Sequence, residues 1–328
     1  MFNFLSKKDT NIYLLNQQNF SSKYQLTTQS CFTMGKENSP IHVSSTAAIN
    51  LKQTVEKKKI YTKISVTNMT SETDNNNLKE SIQEMLLFAK INPVIEFIRF
   101  ENGSPKDIDN MPDIWEAWER WKEKQLPNEI PNELKQQKII KNYENGLKSL
   151  EDTVYKNMQY MLLLPGCYKF RHYPDPLECT FEKTYSSRFV EKLDISYYLN
   201  KKSFSDKNNI VKLTLGTQIA DDENKELVKR LETFYENNMP DFSFKDYLFD
   251  IKIQYTFDKN TSEIFDAHLS FIEKLHSNFS YTIEMDLINA EREKKIIDKT
   301  PIKSEEKEKN NKRWSTLVDD GDDNIVIG

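Results

Sequence analysis

Apolar and β-branched residues alternate with polar ones at period two over about residues 24 to 70. The segments YQLTTQSCFTM, IHVSSTAAINLK and KIYTKISVTNMTS follow this pattern, which is typical of strands with one solvated face. The stretch GKENSP at 35–40 has the composition of a turn between the first two. The pattern predicts an antiparallel meander with one apolar face.

The same alternation returns in the second half, after a proline-rich connection at 171–178. It is clearest in DYLFDIKIQYTFDKNTSEIFDAHLSFIEKL, which predicts a hairpin around DKNTS. Further strands are predicted in ECTFEKTYSSRF, EKLDISYYLNKK, NIVKLTLGTQI and SNFSYTIEMDLINA.

Apolar residues at spacings of three and four predict four helices. The first begins after an N-cap among Asp74 to Asn77 and ends at Pro93. The others are a tryptophan-rich helix with Pro112 near its first turn, one over about 132–163, and one over about 221–237. Between the first two, VIEFIRFENG predicts a hairpin with a type I′ turn at Asn102-Gly103. Runs of neighbouring strands with helices between them indicate an α+β protein, with antiparallel meander-type sheets and amphipathic helices packed on one face.

Composition divides the chain into four parts. A polar, flexible lead-in is expected at 1–22, followed by a first α+β half at 23–165. A second α+β half at 166–290 belongs either to a separate domain or to the same compact one. Residues 291–328 have few apolar side chains and are predicted to form a disordered tail.

The helix MPDIWEAWERWKEK contains three of the four tryptophans, at three-residue spacing. Trp115, Trp118 and Trp121 share one broad helix face, while charged residues occupy the other. This arrangement favours burial in the core; a partner-binding stripe and a platform for a sugar or a base are the alternatives.

No sequence motif identifies a reaction that this protein could catalyse. The chain has seven glycines and neither a G-x-G-x-x-G nor a P-loop motif, which disfavours a classical nucleotide-binding domain. Neither H-E-x-x-H nor G-x-S-x-G is present. His172 lies near Asp175, but no nucleophile accompanies them, so a surface loop histidine is expected there. We therefore expect no catalytic residues, no metal ligands and no cofactor.

Other bulk properties exclude further classes. The net charge of −5 gives no overall attraction to nucleic acid. The three cysteines form no C-x-x-C pair, which favours reduced thiols. No apolar run is long enough to span a bilayer, and the N-terminus lacks the apolar core of a signal peptide, so we expect a cytoplasmic protein without membrane insertion.

The predicted tail ends in an unusual apolar pattern. Residues 291–313 carry nine basic against six acidic side chains, and the last fifteen residues carry four acids. A tethered docking peptide with high β propensity is one interpretation; an unbound C-terminus and a segment folded back on its own domain are the others. The tentative docking residues are Trp314, Leu317, Val318, Ile325, Val326 and Ile327.

The block VIEFIRFENGSPKDIDNMPDIWEAWERWKEK, residues 94–124, resembles a pattern in uncharacterised bacterial proteins. That pattern is a hairpin with an Asn-Gly turn, then an Ile and an Asn, then a helix with Trp and Lys. The resemblance implies a bacterial origin and transfers no catalytic residues.

These observations predict a non-enzymatic protein-interaction module, such as an adaptor or accessory subunit of a bacterial assembly, with another protein as its partner. Its oligomeric state stays open. One alternative is an immunity-type protein that neutralises a toxin. The other is a small-molecule-binding protein or enzyme with an aromatic-lined cavity, which polar groups around His172 or His268 would favour.

Overall fold

A computed structural model describes residues 12–35, 39–57, 59–91, 93–171, 183–190, 193–219, 221–238, 247–276 and 278–292. The chain divides into one compact unit, Met1–Glu291, and a second unit that starts at Arg292. Residues 293–328 of the predicted tail, with all six candidate docking residues, lie outside the described residues, and so does His172.

Thirteen strands are formed by the described residues. They are β1 (Ile12–Leu14), β2 (Phe20–Met34), β3 (Ile41–Glu56), β4 (Lys59–Thr73), β5 (Val94–Arg99), β6 (Pro105–Ile108), β7 (Lys169–Arg171), β8 (Lys183–Ser186), β9 (Asp194–Lys207), β10 (Ile210–Ile219), β11 (Leu248–Asp258), β12 (Ile264–His276) and β13 (Phe279–Asn289).

Eleven of these strands form one antiparallel sheet, in the order β6-β5-β4-β3-β2-β13-β12-β11-β10-β9-β8. The α+β class and the antiparallel sheet are therefore confirmed, but the sheet is larger than the predicted meander. Each half of the chain contributes one meander, and pairing of β2 with β13 joins them. The two halves thus share a single sheet.

Part of the predicted flexible lead-in is ordered structure. β1 pairs with β7, and β2 begins at Phe20. Leu15 is fully buried, and its backbone N–H donates to the Tyr168 carbonyl at 2.8 Å. These partners are distant in sequence, so local composition does not reveal them.

Seven α-helices accompany the strands within the described residues. They are α1 (Lys79–Ile91), α2 (Met111–Lys124), α3 (Leu126–Glu129), α4 (Glu133–Lys148), α5 (Leu150–Lys156), α6 (Met158–Leu163) and α7 (Asp221–Asn238).

The predicted single helix over 132–163 is three helices. Ser149 leaves the helical region between α4 and α5. Asn157 is extended and caps α6, since its side chain accepts from the Gln159 N–H at 2.8 Å. Such a side chain satisfies a helix-end donor and stabilises a new helix start. The apolar spacing alone did not reveal these breaks.

Helix α5 lies between the two edge strands of the large sheet. It contacts both β6 and β8. The Tyr155 hydroxyl donates to the Lys106 carbonyl at 2.5 Å, and the Lys183 ammonium donates to the Tyr155 carbonyl at 3.4 Å. The sheet therefore curves until both edges meet one helix, which covers edges that would otherwise be open to pairing with another chain.

The β5–β6 turn also differs from the prediction. Of the two predicted turn residues, Gly103 has a positive φ, of 94°, and Asn102 does not, so the turn is not type I′. The Phe100 N–H donates to the Ser104 carbonyl and the Gly103 N–H to the Phe100 carbonyl, both at 2.8 Å. A Cβ at Gly103 would lie 2.3 Å from the Pro165 carbonyl oxygen, so tertiary packing as well as the turn requires glycine.

A buried arginine fixes this turn against the rest of the molecule. Arg99 is 3% exposed, and its guanidinium donates to the carbonyl oxygens of Gly103 and Pro165 at 2.5 and 3.2 Å. It also donates to the side chains of Gln53 and Thr62, each at 3.3 Å. Neutral acceptors thus satisfy most donors of this buried cation.

The tryptophan-rich helix packs into the core through two of its three indoles. Trp118 and Trp121 are 0% and 7% exposed, whereas Trp115 is half-buried against the core. The Trp118 ring lies 4.2 Å from the ring of Tyr143 on α4, and its N–H donates to Glu144 at 3.3 Å. These contacts fix α2 to α4.

Candidate functional site

A cavity of about 490 Å³ lies against the inner face of the sheet, the face that carries the buried side chains. We call it the inner cavity. Its floor is a row of cross-strand neighbours on β13, β2, β3 and β4: Met285 pairs with Thr28, Thr28 with Ser45, and Ser45 with Ser71. The row crosses three interstrand spacings, roughly 14 Å.

Residue size along the strands explains the empty volume. On the inner face of β3, Leu51 and Ile49 are buried in the core, but the cavity end of the same face carries Ala47 and Ser45. The neighbouring strand β2 shows the same change, from Tyr24 in the core to Thr28 and Ser30 at the inner cavity. Short side chains cannot fill the space that the curvature of the sheet encloses, so a cavity remains where they replace large ones.

A β-bulge on β4 supplies one wall of the inner cavity. The register between β3 and β4 shifts between Thr46 and Ala48, where Asn68 has a φ of +51°. Before this point Ile64 faces the core, and after it Met69 and Ser71 line the inner cavity. A bulge adds a residue to one strand and so moves the next side chains to the other face.

Helices complete the opposite wall. The break at Asn157 brings the end of α5 and the start of α6 to the cavity, and α1 adds Met85. Four methionines line the space in total: Met69, Met85, Met158 and Met285. Methionine side chains are flexible and polarizable, so this lining can adapt to apolar ligands of different shapes.

One end of the inner cavity is aromatic and cationic. Tyr185, Tyr281 and Arg188 line it, and the Arg188 guanidinium carbon lies 5.8 Å from the centre of the Tyr281 ring. Elsewhere on the wall, Lys156 is paired with Asp152 at 3.0 Å. The charge of Lys156 is therefore locally balanced.

A buried carboxylate holds the segment that carries Arg188. Glu273 is 0% exposed and accepts from the Tyr185 hydroxyl at 2.8 Å, the Ser187 hydroxyl at 2.5 Å and the Arg188 backbone N–H at 3.0 Å. Burial and the nearby Glu273 charge raise the pKa of Tyr185, so its hydroxyl stays protonated and donates. Phe189 stacks on Phe32 at 5.3 Å.

Two other cavities are weaker candidates. One of about 320 Å³ beside α7 is lined by Glu226 and Arg230, whose charges pair with each other at 3.0 Å. Another, of about 30 Å³, contains Lys183, whose pKa burial lowers to about 8. That volume corresponds to about one water molecule, too small for an organic ligand.

Of the residues that the sequence singled out and the structure describes, none lines the inner cavity. The indoles lie in or against the core, and His268 lies on the outer face of the sheet. The polar groups around His268, the observation that would favour an aromatic-lined ligand cavity, lie on this outer face and not in the inner cavity. Among the described residues, no group of three or more His, Cys, Asp or Glu side chains is placed to hold a metal ion.

His268 instead forms a surface charge cluster. Its ring nitrogens contact Glu284 at 3.2 Å and Asp286 at 2.8 Å. The hydrogen bond to Glu284 is the largest cause that raises its pKa, to about 9; partial burial opposes this rise and Asp286 adds to it.

Because the folded-state pKa of His268 is raised, we expect its stabilising effect to be present below about pH 6.5, its ordinary pKa, and to be lost as the pH rises toward 9. After discount for solvent screening, about 1 kcal/mol of unfolding free energy is expected to disappear over this range. Urea unfolding of the wild type and His268→Gln at pH 6 and 9.5 measures it. An unchanged pH dependence in the variant would contradict the assignment.

Several residues of the inner cavity were missed by sequence reasoning. Arg188 stands in a segment predicted as a plain strand, and Met69 follows a bulge. Asn68 inside an alternating strand pattern was the available signal, since asparagine tolerates a positive φ better than most residues.

Comparisons with known proteins assign no family to this chain. No family model matches it, and no curated protein matches it. Among solved structures it is similar to Rv2717c from M. tuberculosis, at 6% identity and a TM-score of 0.22, over 80% of this chain and 90% of that one. It is also similar to DynF from the dynemicin biosynthesis pathway of Micromonospora chersina, at 6% identity and a TM-score of 0.20, over 84% and 83%. TM-scores this low assign neither a fold family nor a function.

Proposed function

We propose that this protein binds a small molecule with a largely apolar body in the inner cavity. The observation that supports the proposal most is a 490 Å³ space of the size that drug-sized ligands occupy, which is about 300–1,000 Å³. Its lining combines methionines and tyrosines with a few hydroxyl groups. Part of the proposal is that the helices cover one face of the sheet and so close the ligand in.

The lining favours binding over catalysis. The carboxylate nearest the aromatic end, Glu273, is fully buried and already accepts three hydrogen bonds. The hydroxyl of Ser71 donates to the Ser44 carbonyl at 3.2 Å. Groups that are already bound in this way orient a ligand more readily than they transfer protons.

Blocking the floor tests the proposal. Ser45→Phe places a large ring in the inner cavity and is expected to weaken binding of the uncharged fluorescent probe N-phenyl-1-naphthylamine at least tenfold, since the ring takes the ligand's space. Fluorescence titration of the full chain measures it.

Ser44→Phe is the matched control, because Ser44 is exposed on the other face of the same strand. It is expected to bind the probe like the wild type. Absence of probe binding to the wild type, or equal binding by both variants, would reject the inner cavity as a ligand site. Circular dichroism and an unfolding curve establish that Ser45→Phe is folded.

The interaction-module hypothesis and its immunity-type variant stay predictions, because the tail residues on which docking depends lie outside the described residues. A bacterial origin also stays a prediction, because none of the comparisons tests it. Of the helices in the described part of the chain, none combines the length and apolar character that crossing a bilayer requires.

A further inference from the structure

From the charge at one end of the inner cavity, we infer that its ligand is an amphipathic anion, with its acidic group at Arg188 and its apolar body against the methionines. The inference rests on the proposed function and adds the chemical class and the orientation of the ligand.

The charge of the Arg188 side chain is available to a ligand. Arg188 is exposed, and its guanidinium lies over the Tyr281 ring. Within the described part of the chain, no carboxylate forms an ion pair with this guanidinium. By contrast, the other lining cation, Lys156, is paired with Asp152. Arg188 therefore has guanidinium donors free to bind an acidic group in a fork-like arrangement.

The backbone around Arg188 is fixed in position before a ligand binds. The backbone N–H of Arg188 donates to buried Glu273 at 3.0 Å. The Ser187 hydroxyl accepts from the N–H groups of Phe189 and Val190 at 3.2 and 3.0 Å, and the Phe189 ring stacks on Phe32. A segment fixed on both sides of the arginine loses little conformational freedom when a ligand binds, which strengthens binding.

The two ends of the cavity floor carry different kinds of side chain. Tyr281 on β13 lies at the Arg188 end, while Met69 on β4 and Met85 on α1 lie at the other. The intervening strands β2 and β3 present Thr28 and Ser45. A molecule that spans three interstrand spacings, roughly 14 Å, therefore has a cation at one end and an adaptable apolar wall at the other.

Decanoate and decan-1-ol are the matched probes, because they share an apolar chain and differ in charge at its end. With the full chain at low salt, decanoate is expected to bind about tenfold more tightly, the size of a charged hydrogen bond discounted for exposure. Isothermal titration calorimetry measures both affinities. The preference is expected to shrink as salt is added.

Arg188→Gln is expected to abolish the preference, so that decanoate binds no more tightly than decan-1-ol, while Arg188→Lys keeps most of it. Both variants retain the backbone N–H that Glu273 accepts, so the segment stays in place. Arg120→Gln on the exposed face of α2 makes the same charge change away from the inner cavity and is expected to behave like the wild type.

Each outcome decides between the two proposals. Equal binding of both probes to the wild type, or a preference that survives in Arg188→Gln, overturns the anion assignment. Binding of N-phenyl-1-naphthylamine without binding of either ten-carbon probe also overturns it, while the cavity proposal stands. If no probe binds, the cavity proposal fails and the assignment fails with it.

Discussion

Replacing Trp118 with alanine is expected to lower the free energy of unfolding by about 3–5 kcal/mol, the usual cost of removing a buried indole. The ring is 0% exposed and packs on Tyr143 of α4. Its loss leaves a cavity between α2 and α4 and leaves Glu144 without its indole donor. Urea unfolding followed by circular dichroism measures the change.

Trp115→Ala is the matched control on the same helix. Because the Trp115 ring is half-buried, truncation is expected to cost only about 1–2 kcal/mol. Equal losses in the two variants would show that the observed difference in burial between the indoles does not determine their energetic contributions.

Arg99→Met is expected to cost about 2–4 kcal/mol, because the carbonyl oxygens of Gly103 and Pro165 lose donors while they remain buried. Methionine keeps much of the side-chain volume, so the loss reports hydrogen bonding more than packing. The same unfolding measurement applies, at one pH and one salt concentration.

Arg120→Met provides the comparison on the surface. Arg120 forms an exposed pair with Glu116 at 3.8 Å, so its loss is expected to cost less than about 0.5 kcal/mol. A cost for Arg99→Met as small as that for Arg120→Met would refute the view that this buried arginine holds the β5–β6 turn to the 165–168 segment.

Evidence for the site comes mainly from the contrast between filled and unfilled parts of one sheet face. The same strands that bury Tyr24, Ile49 and Leu51 in the core carry serine, threonine and alanine where the inner cavity begins. A stability-optimised core would continue with large side chains there. We interpret the small residues as space kept for a ligand.

The alternation of apolar and polar residues determined much of this fold directly. Period-two patterns at 24–70 and 246–275 predicted strands that the structure contains, because the pleat itself places successive side chains on opposite faces. Pro93 correctly marked the end of a helix, since proline disfavours the helical conformation in the residue before it. The spacing of the tryptophans alone also predicted that Trp118 and Trp121 lie on one face of their helix.

Tertiary structure alone decided where the site lies. The β2–β13 pairing that joins the two halves depends on contacts between segments more than 200 residues apart, and local pattern carries no information about them. The break at Asn157 and the bulge at Asn68 each shift side chains toward the inner cavity, yet either residue also fits a regular solvent-exposed position. Arg188 becomes a candidate only once Glu273, distant in sequence, fixes its backbone beside Tyr281. A cavity depends on how side chains pack together, and residues that pack together can be far apart in the sequence.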